Sequence, residues 1–178
     1  MAKNLIVALV FMLAVYAFAS AQQDKSKRPS PPAQAQCKFS DSKTITIDYS
    51  SPRMKGRKIF GGLVPYGEVW RTGANEATTL LTTADLRVDG KDVPAGKYTL
   101  FTVPEQGKWT LIVNKHTGEW GIPYNYQSEE LVRIPMQVSK TASPVENFTI
   151  SFEPGGGECT LEMSWENTQA SVKLSEKK

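Results

Sequence analysis

The chain has 178 residues, 21 lysines and arginines against 18 aspartates and glutamates, a formal net charge of +3 and 40% hydrophobic residues. That length fits one domain, large enough to bury a core without cross-links. A charge this near balance excludes the strongly basic character of a nucleic-acid or membrane-surface binder.

At the N-terminus Lys3 precedes an apolar run from Leu5 to Ala19, and Ala19-Ser20-Ala21 supplies an A-x-A cleavage site. This layout predicts a signal peptide over residues 1–21 and an exported product, periplasmic or extracellular. The run is shorter than the ~20 apolar residues that cross a bilayer, so no transmembrane span is expected in the mature chain. Residues 22–36 hold three prolines and no large apolar side chain. They read as a disordered, Pro-rich spacer, followed by a single domain over residues 37–175.

From Thr44 onward the signal is period-two alternation: Ile45, Ile47 and Tyr49 against Thr44, Thr46 and Asp48. The same pattern marks Val132 to Val138, Phe148 to Phe152, Leu161 to Trp165 and Ala170 to Leu174, each a strand with one buried face. Tyr98–Val103 and Trp109–Val113 are apolar on both faces and read as central strands. Pro135 marks its run as an edge strand. Asp89-Gly90, Pro94-Ala95-Gly96, Gln106-Gly107 and the glycines at 155–157 supply the turns. The expected fold is all-β: an antiparallel β-sandwich with jelly-roll or Ig-like layering, and a long Gly/Pro/Arg-rich loop between the first and second core strands.

The cysteines are two, Cys37 and Cys159. An even count in an exported chain favours a disulfide, and the pair lacks the C-x-x-C spacing of a redox or metal site. A lone histidine, His116, sits in the turn Asn114-Lys115-His116-Thr117-Gly118-Glu119, and no metal or other cofactor is expected. Glu68 and Glu76 form at most a loose version of a glycosidase acid pair. Ser50-Ser51 lacks the G-x-S-x-G setting of an exposed nucleophile.

The segment Tyr49–Ala77 fits neither a helix period nor a strand alternation. It holds Arg53, Lys55, Arg57 and Lys58, then Gly61, Gly62, Pro65 and Gly67, and closes on Trp70-Arg71-Thr72-Gly73-Ala74-Asn75-Glu76. Together with Pro94-Ala95-Gly96-Lys97-Tyr98, Trp109–Asn114, Trp120-Gly121 and Glu146-Asn147-Phe148-Thr149, it resembles the signature of an uncharacterised bacterial family, the domain of unknown function 2911. The resemblance covers most of the mature chain. It implies an exported β-rich domain and carries no assigned activity.

Two readings of the loop compete. In the first, Arg57 and Arg71 offer forked donors to a carboxylate, phosphate or sugar, Trp70 or Trp120 gives a stacking platform, Asn75 and Glu76 orient the ligand, and the loop glycines let backbone N–H groups approach it. In the second, Trp70 fills the core and Arg71 clasps Glu76 to satisfy the loop. The resulting expectation is a monomeric exported module that binds a glycan or cell-envelope fragment, or is structural in the envelope, rather than an enzyme. The alternative is a glycan-directed hydrolase or lyase using Glu76 with Arg71 or Arg57.

Overall fold

The structure, a computed structural model, describes residues 24–155 and 157–177. The expected signal peptide, residues 1–21, lies outside them. Among the described residues nine strands follow in chain order: β1 (Pro32–Lys38), β2 (Thr44–Ser50), β3 (Thr78–Thr82), β4 (Leu86–Val88), β5 (Lys91–Val93), β6 (Gly96–Glu105), β7 (Lys108–Asn114), β8 (Glu130–Gly155) and β9 (Glu158–Glu176). The remaining regular elements among the described residues are two single 3₁₀ turns, Lys25–Lys27 and Gln127–Glu129. No helix among the described residues is long and apolar enough to cross a membrane.

All pairings between these strands are antiparallel and form one continuous ladder in the order β1-β2-β3-β6-β7-β8-β9-β4-β5. Hydrogen bonding therefore draws one large sheet where two sandwich layers were expected. Side chains from its distant parts meet in one core. Ile45, Ile47 and Tyr49 of β2 join Leu100, Leu111, Ile134, Phe148, Leu161, Met163 and Trp165. The hydroxyl of Tyr49 accepts the N–H of Ile150 at 3.1 Å, and a disulfide ties Cys37 on β1 to Cys159 on β9 across 122 residues of sequence.

β6 and β7 sit in the middle of the order and are buried on both faces, as their unbroken apolar runs require. Their second face carries a smaller cluster of Ala77, Phe101 and Ile112, covered by Tyr124 and Tyr126. Phe101 and Tyr124 meet edge to face at 4.7 Å. This contact lays the β7–β8 connection, residues 115–129, over that face.

Two expectations change. Residues 32–36, read as spacer, are strand: they pair with β2 in unbroken register from Pro32↔Ser50. Small side chains suffice here, because Ala33, Ala35 and Cys37 are the only groups β1 turns to the core. Pro135 does not mark an edge strand, since β8 lies between β7 and β9. It stands where β8 is paired to β7 alone, just before the pairing with β9 begins at Gln137. A missing N–H costs nothing on an open side.

Candidate functional site

Between Ser50 and Thr78 the chain forms isolated bridges and no strand. One bridge places the site. Trp70 N–H donates to Thr102 O at 2.8 Å, and Thr102 N–H returns the bond to Trp70 O at 2.9 Å, so residues around Trp70 run beside β6 past the end of β3. The preceding stretch is closed by its own side chains. Arg57 donates from Nε to Met54 O at 3.0 Å and from Nη2 to Arg53 O at 2.6 Å. Gly61, Gly62 and Gly73 press against Tyr66, the Lys58 carbonyl and the Ser50 carbonyl respectively. Gly61 and Gly62 serve the closure of the loop, and Gly73 also lines the cleft beside Trp70.

Trp70 belongs to both competing readings. It is partly buried in an aromatic cluster, stacked on Trp165 at 5.9 Å and edge-on to Phe148 at 4.9 Å, with its Nε1–H donated to Gly73 O at 3.1 Å. Its remaining surface lines a cleft of about 390 Å³, within the range of small-molecule sites. Trp165, Val64 and Pro52 contribute apolar wall, Leu63 and Ile122 stand at its mouth, and Ser30, Arg57, Glu68 and Arg71 are its polar side chains.

Arg71 is the central group. Its Nη1 is buried and has no hydrogen-bond partner among the described residues, and its guanidinium lies 5.5 Å from the centre of the Trp120 ring. Burial lowers its pKa from the ordinary arginine value. Gly121 makes this arrangement possible: with φ +89, a Cβ there would lie 2.9 Å from the Cβ of Ala77 and 3.0 Å from that of Arg71. Trp120 itself is 53% exposed. Neighbouring Glu119 also has a buried carboxylate without a partner among the described residues, but it is not one of the cleft walls.

Thr72, next to Arg71, is fully buried at φ +58, an outlier for a β-branched residue. It is held by bonds from its Oγ1 to Thr102 Oγ1 at 3.1 Å and from Thr78 Oγ1 to its carbonyl at 2.7 Å. A backbone kept in such a conformation costs of order 1–3 kcal/mol and persists only where the surroundings over-determine it.

The expected Arg71–Glu76 clasp does not form. Glu76 instead accepts two bonds from Arg28 Nη1 at 3.0 and 2.8 Å and pairs with Lys25 Nζ at 3.0 Å. Asn75 turns the same way, donating to Ser30 O at 2.9 Å. Residues 25–31 thus lie as a strap along the turn, with Ser51 N–H bonded to Pro31 O. Glu76 faces a separate, shallower depression with Lys25, Pro32 and Asp48. It shares no cleft with Arg57, Arg71 or Glu68, so the acid-pair arrangement and the catalytic role beside an arginine have no geometry here. His116 is engaged by Glu129 at 3.0 Å and stacked on Tyr126 at 4.5 Å.

The Glu76 cluster has a measurable signature. Its own backbone N–H, then Arg28 and Lys25, outweigh burial and bring the carboxyl pKa from 4.5 down to about 2. A depressed folded-state pKa stabilises above the unfolded value, and the contribution is lost as pH falls from about 4.5 towards 2. With the carboxylate 43% exposed, solvent screening holds that contribution to about 1 kcal/mol. Glu76→Gln is expected to lower unfolding free energy by this amount at pH 7, with the gap shrinking as pH falls below about 4.5 and closing only near pH 2. A gap that persists at low pH would assign its role to packing instead.

Sequence reasoning singled out Arg57, Trp70, Arg71 and Trp120, which the fold brings together. It missed Leu63, Ile122, Trp165 and Ser30 as walls. Leu63 and Ile122 carried a signal, being large apolar residues in Gly/Pro-rich stretches. Neither a curated protein nor a solved structure matches the chain significantly. The model of one family, Protein of unknown function (DUF2911), matches residues 30–174, which take in the strap's end, the strands as far as Leu174 and every residue lining the cleft, and the chain belongs to that family.

Proposed function

We propose that the chain is an exported, monomeric binding module whose ligand, a glycan or other cell-envelope fragment, occupies the cleft beside Arg71. The sheet closing over its core in two layers, in the manner of a sandwich, gives the rigid frame. The reading is carried by one observation: a guanidinium nitrogen buried at an aromatic-floored cleft with no acceptor among the described residues. A half-buried guanidinium with a buried nitrogen left unbonded gives up part of its hydration, and a ligand acceptor offsets that cost. The strained Thr72 and the exposed Trp120 support the same reading, because strain and exposed aromatic surface gather at sites of recognition.

Arg71→Met keeps the length of the side chain and removes the charge. Its unfolding free energy is expected to equal the parent's or exceed it by up to about 2 kcal/mol, as at positions held for function at some cost to the fold. The same variant is expected to lose at least tenfold in affinity for soluble envelope fragments that change the parent's tryptophan fluorescence. A stability loss of ~3 kcal/mol with unchanged binding would make Arg71 a structural group and overturn the proposal.

A further inference from the structure

The chemistry around the cleft narrows the ligand class, and this step rests on the cleft being a binding site. Leu63 and Ile122, each 48% exposed, stand at its mouth, Trp120 lies under the Arg71 guanidinium, and Tyr66 is 41% exposed on the same loop. Among the described residues, Leu63 and Ile122 of the five exposed large hydrophobic side chains therefore line the cleft, and Trp120 lies beside it against Arg71. Isolated apolar side chains on a surface need no explanation, but a contiguous group around a concave site does.

The charges around it are equally one-sided. The two basic side chains that line it, Arg57 and Arg71, take part in no ion pair among the described residues. Arg57 spends Nε and Nη2 on loop carbonyls, which holds its guanidinium at the cleft wall. Glu68 is the one acid lining the cleft, and it is exposed to solvent. A neutral sugar would need many convergent hydrogen-bonding groups, and these walls are mostly aliphatic and aromatic. Apolar walls with guanidinium groups beside them match a molecule with a greasy body and an anionic end.

We infer that the cleft binds an amphiphilic organic anion, its aliphatic part against Leu63, Ile122 and Trp165 and its carboxylate or phosphate on Arg71. The test uses the protein spanning residues 22–178 and follows tryptophan fluorescence and calorimetry below micelle-forming concentrations. The probes are octanoate, decanoate, decyl phosphate and decanol. Decanoate or decyl phosphate is expected to bind at least tenfold tighter than decanol, and the preferred head group tells an acyl from a phosphate-bearing source. Decanoate is expected to exceed octanoate by about tenfold, since each buried methylene is worth roughly fourfold.

Arg71→Met is expected to abolish the preference for the anion. Leu63→Asp, at an exposed position that does not endanger folding, is expected to weaken all decyl probes at least tenfold. Equal binding of decanol and decanoate, or anion binding untouched by both substitutions, overturns the inference. If soluble envelope glycans bind at Arg71 while no decyl probe does, this inference fails and the binding-module reading stands. If neither class binds, both fail.

Discussion

Replacing Cys37 and Cys159 together by alanine is expected to remove about 4–5 kcal/mol of unfolding free energy, the chain-entropy value for a loop closed across 122 residues. That is a large share of the 5–15 kcal/mol typical of a domain. The reason for so large a dependence lies in β1. It ends the ladder, pairs only with β2, and offers the core just Ala33, Ala35 and Cys37, too little apolar area to hold an edge strand. Urea unfolding of the double alanine variant measures the effect, and a reducing agent added to the parent is expected to reproduce it. A loss below about 1 kcal/mol would mean that β1 is held by its ladder bonds alone.

Trp165→Ala is expected to cost about 3–5 kcal/mol, the range for deleting a large aromatic side chain from a core. Trp165 is 1% exposed. It stacks on Trp70, meets Phe60 and Phe148 at 6.4 and 5.8 Å, and donates its Nε1–H to Glu146 O at 3.2 Å. Removing it leaves a cavity continuous with the cleft and takes from the Glu146 carbonyl one of its two donors, the other being the Met54 N–H at 2.8 Å. Trp120→Ala, at an exposed ring, is expected to stay within about 0.5 kcal/mol of the parent. Comparing denaturant midpoints of the two variants separates the roles: similar costs would mean that the Trp70–Trp165 stack is not the centre of the core.

Much of this was legible in the chain. The alternation in β2, the two-faced apolar runs of β6 and β7 and the pairing of the two cysteines all appear in the fold. β1 was not legible, because alanines and glutamines give no hydrophobic contrast between faces. β8 and β9 read as four shorter strands, since the register shifts between Lys140 and Thr149 and the left-handed Glu166 break the alternation that marks a continuous strand. At the site, Arg71 and the two tryptophans stood out by composition. The partner of Glu76 did not, because Arg28 lies 48 residues away in a segment whose composition reads as spacer. An arginine five positions from a glutamate looks like its natural partner, yet the left-handed residues Thr72 and Asn75 turn the two side chains to opposite sides.

β8 spans 26 residues and serves β7 with its first part and β9 with the rest. A strand shared in this way makes the two halves of the ladder melt as one cooperative unit, for releasing either neighbour leaves the same strand without partners. The cleft draws its walls from the β2–β3 loop, from Ile122 before β8 and from Trp165 on β9. A molecule seated there raises the melting temperature of the whole domain, not of one loop, and thermal shift becomes a direct reporter of occupancy.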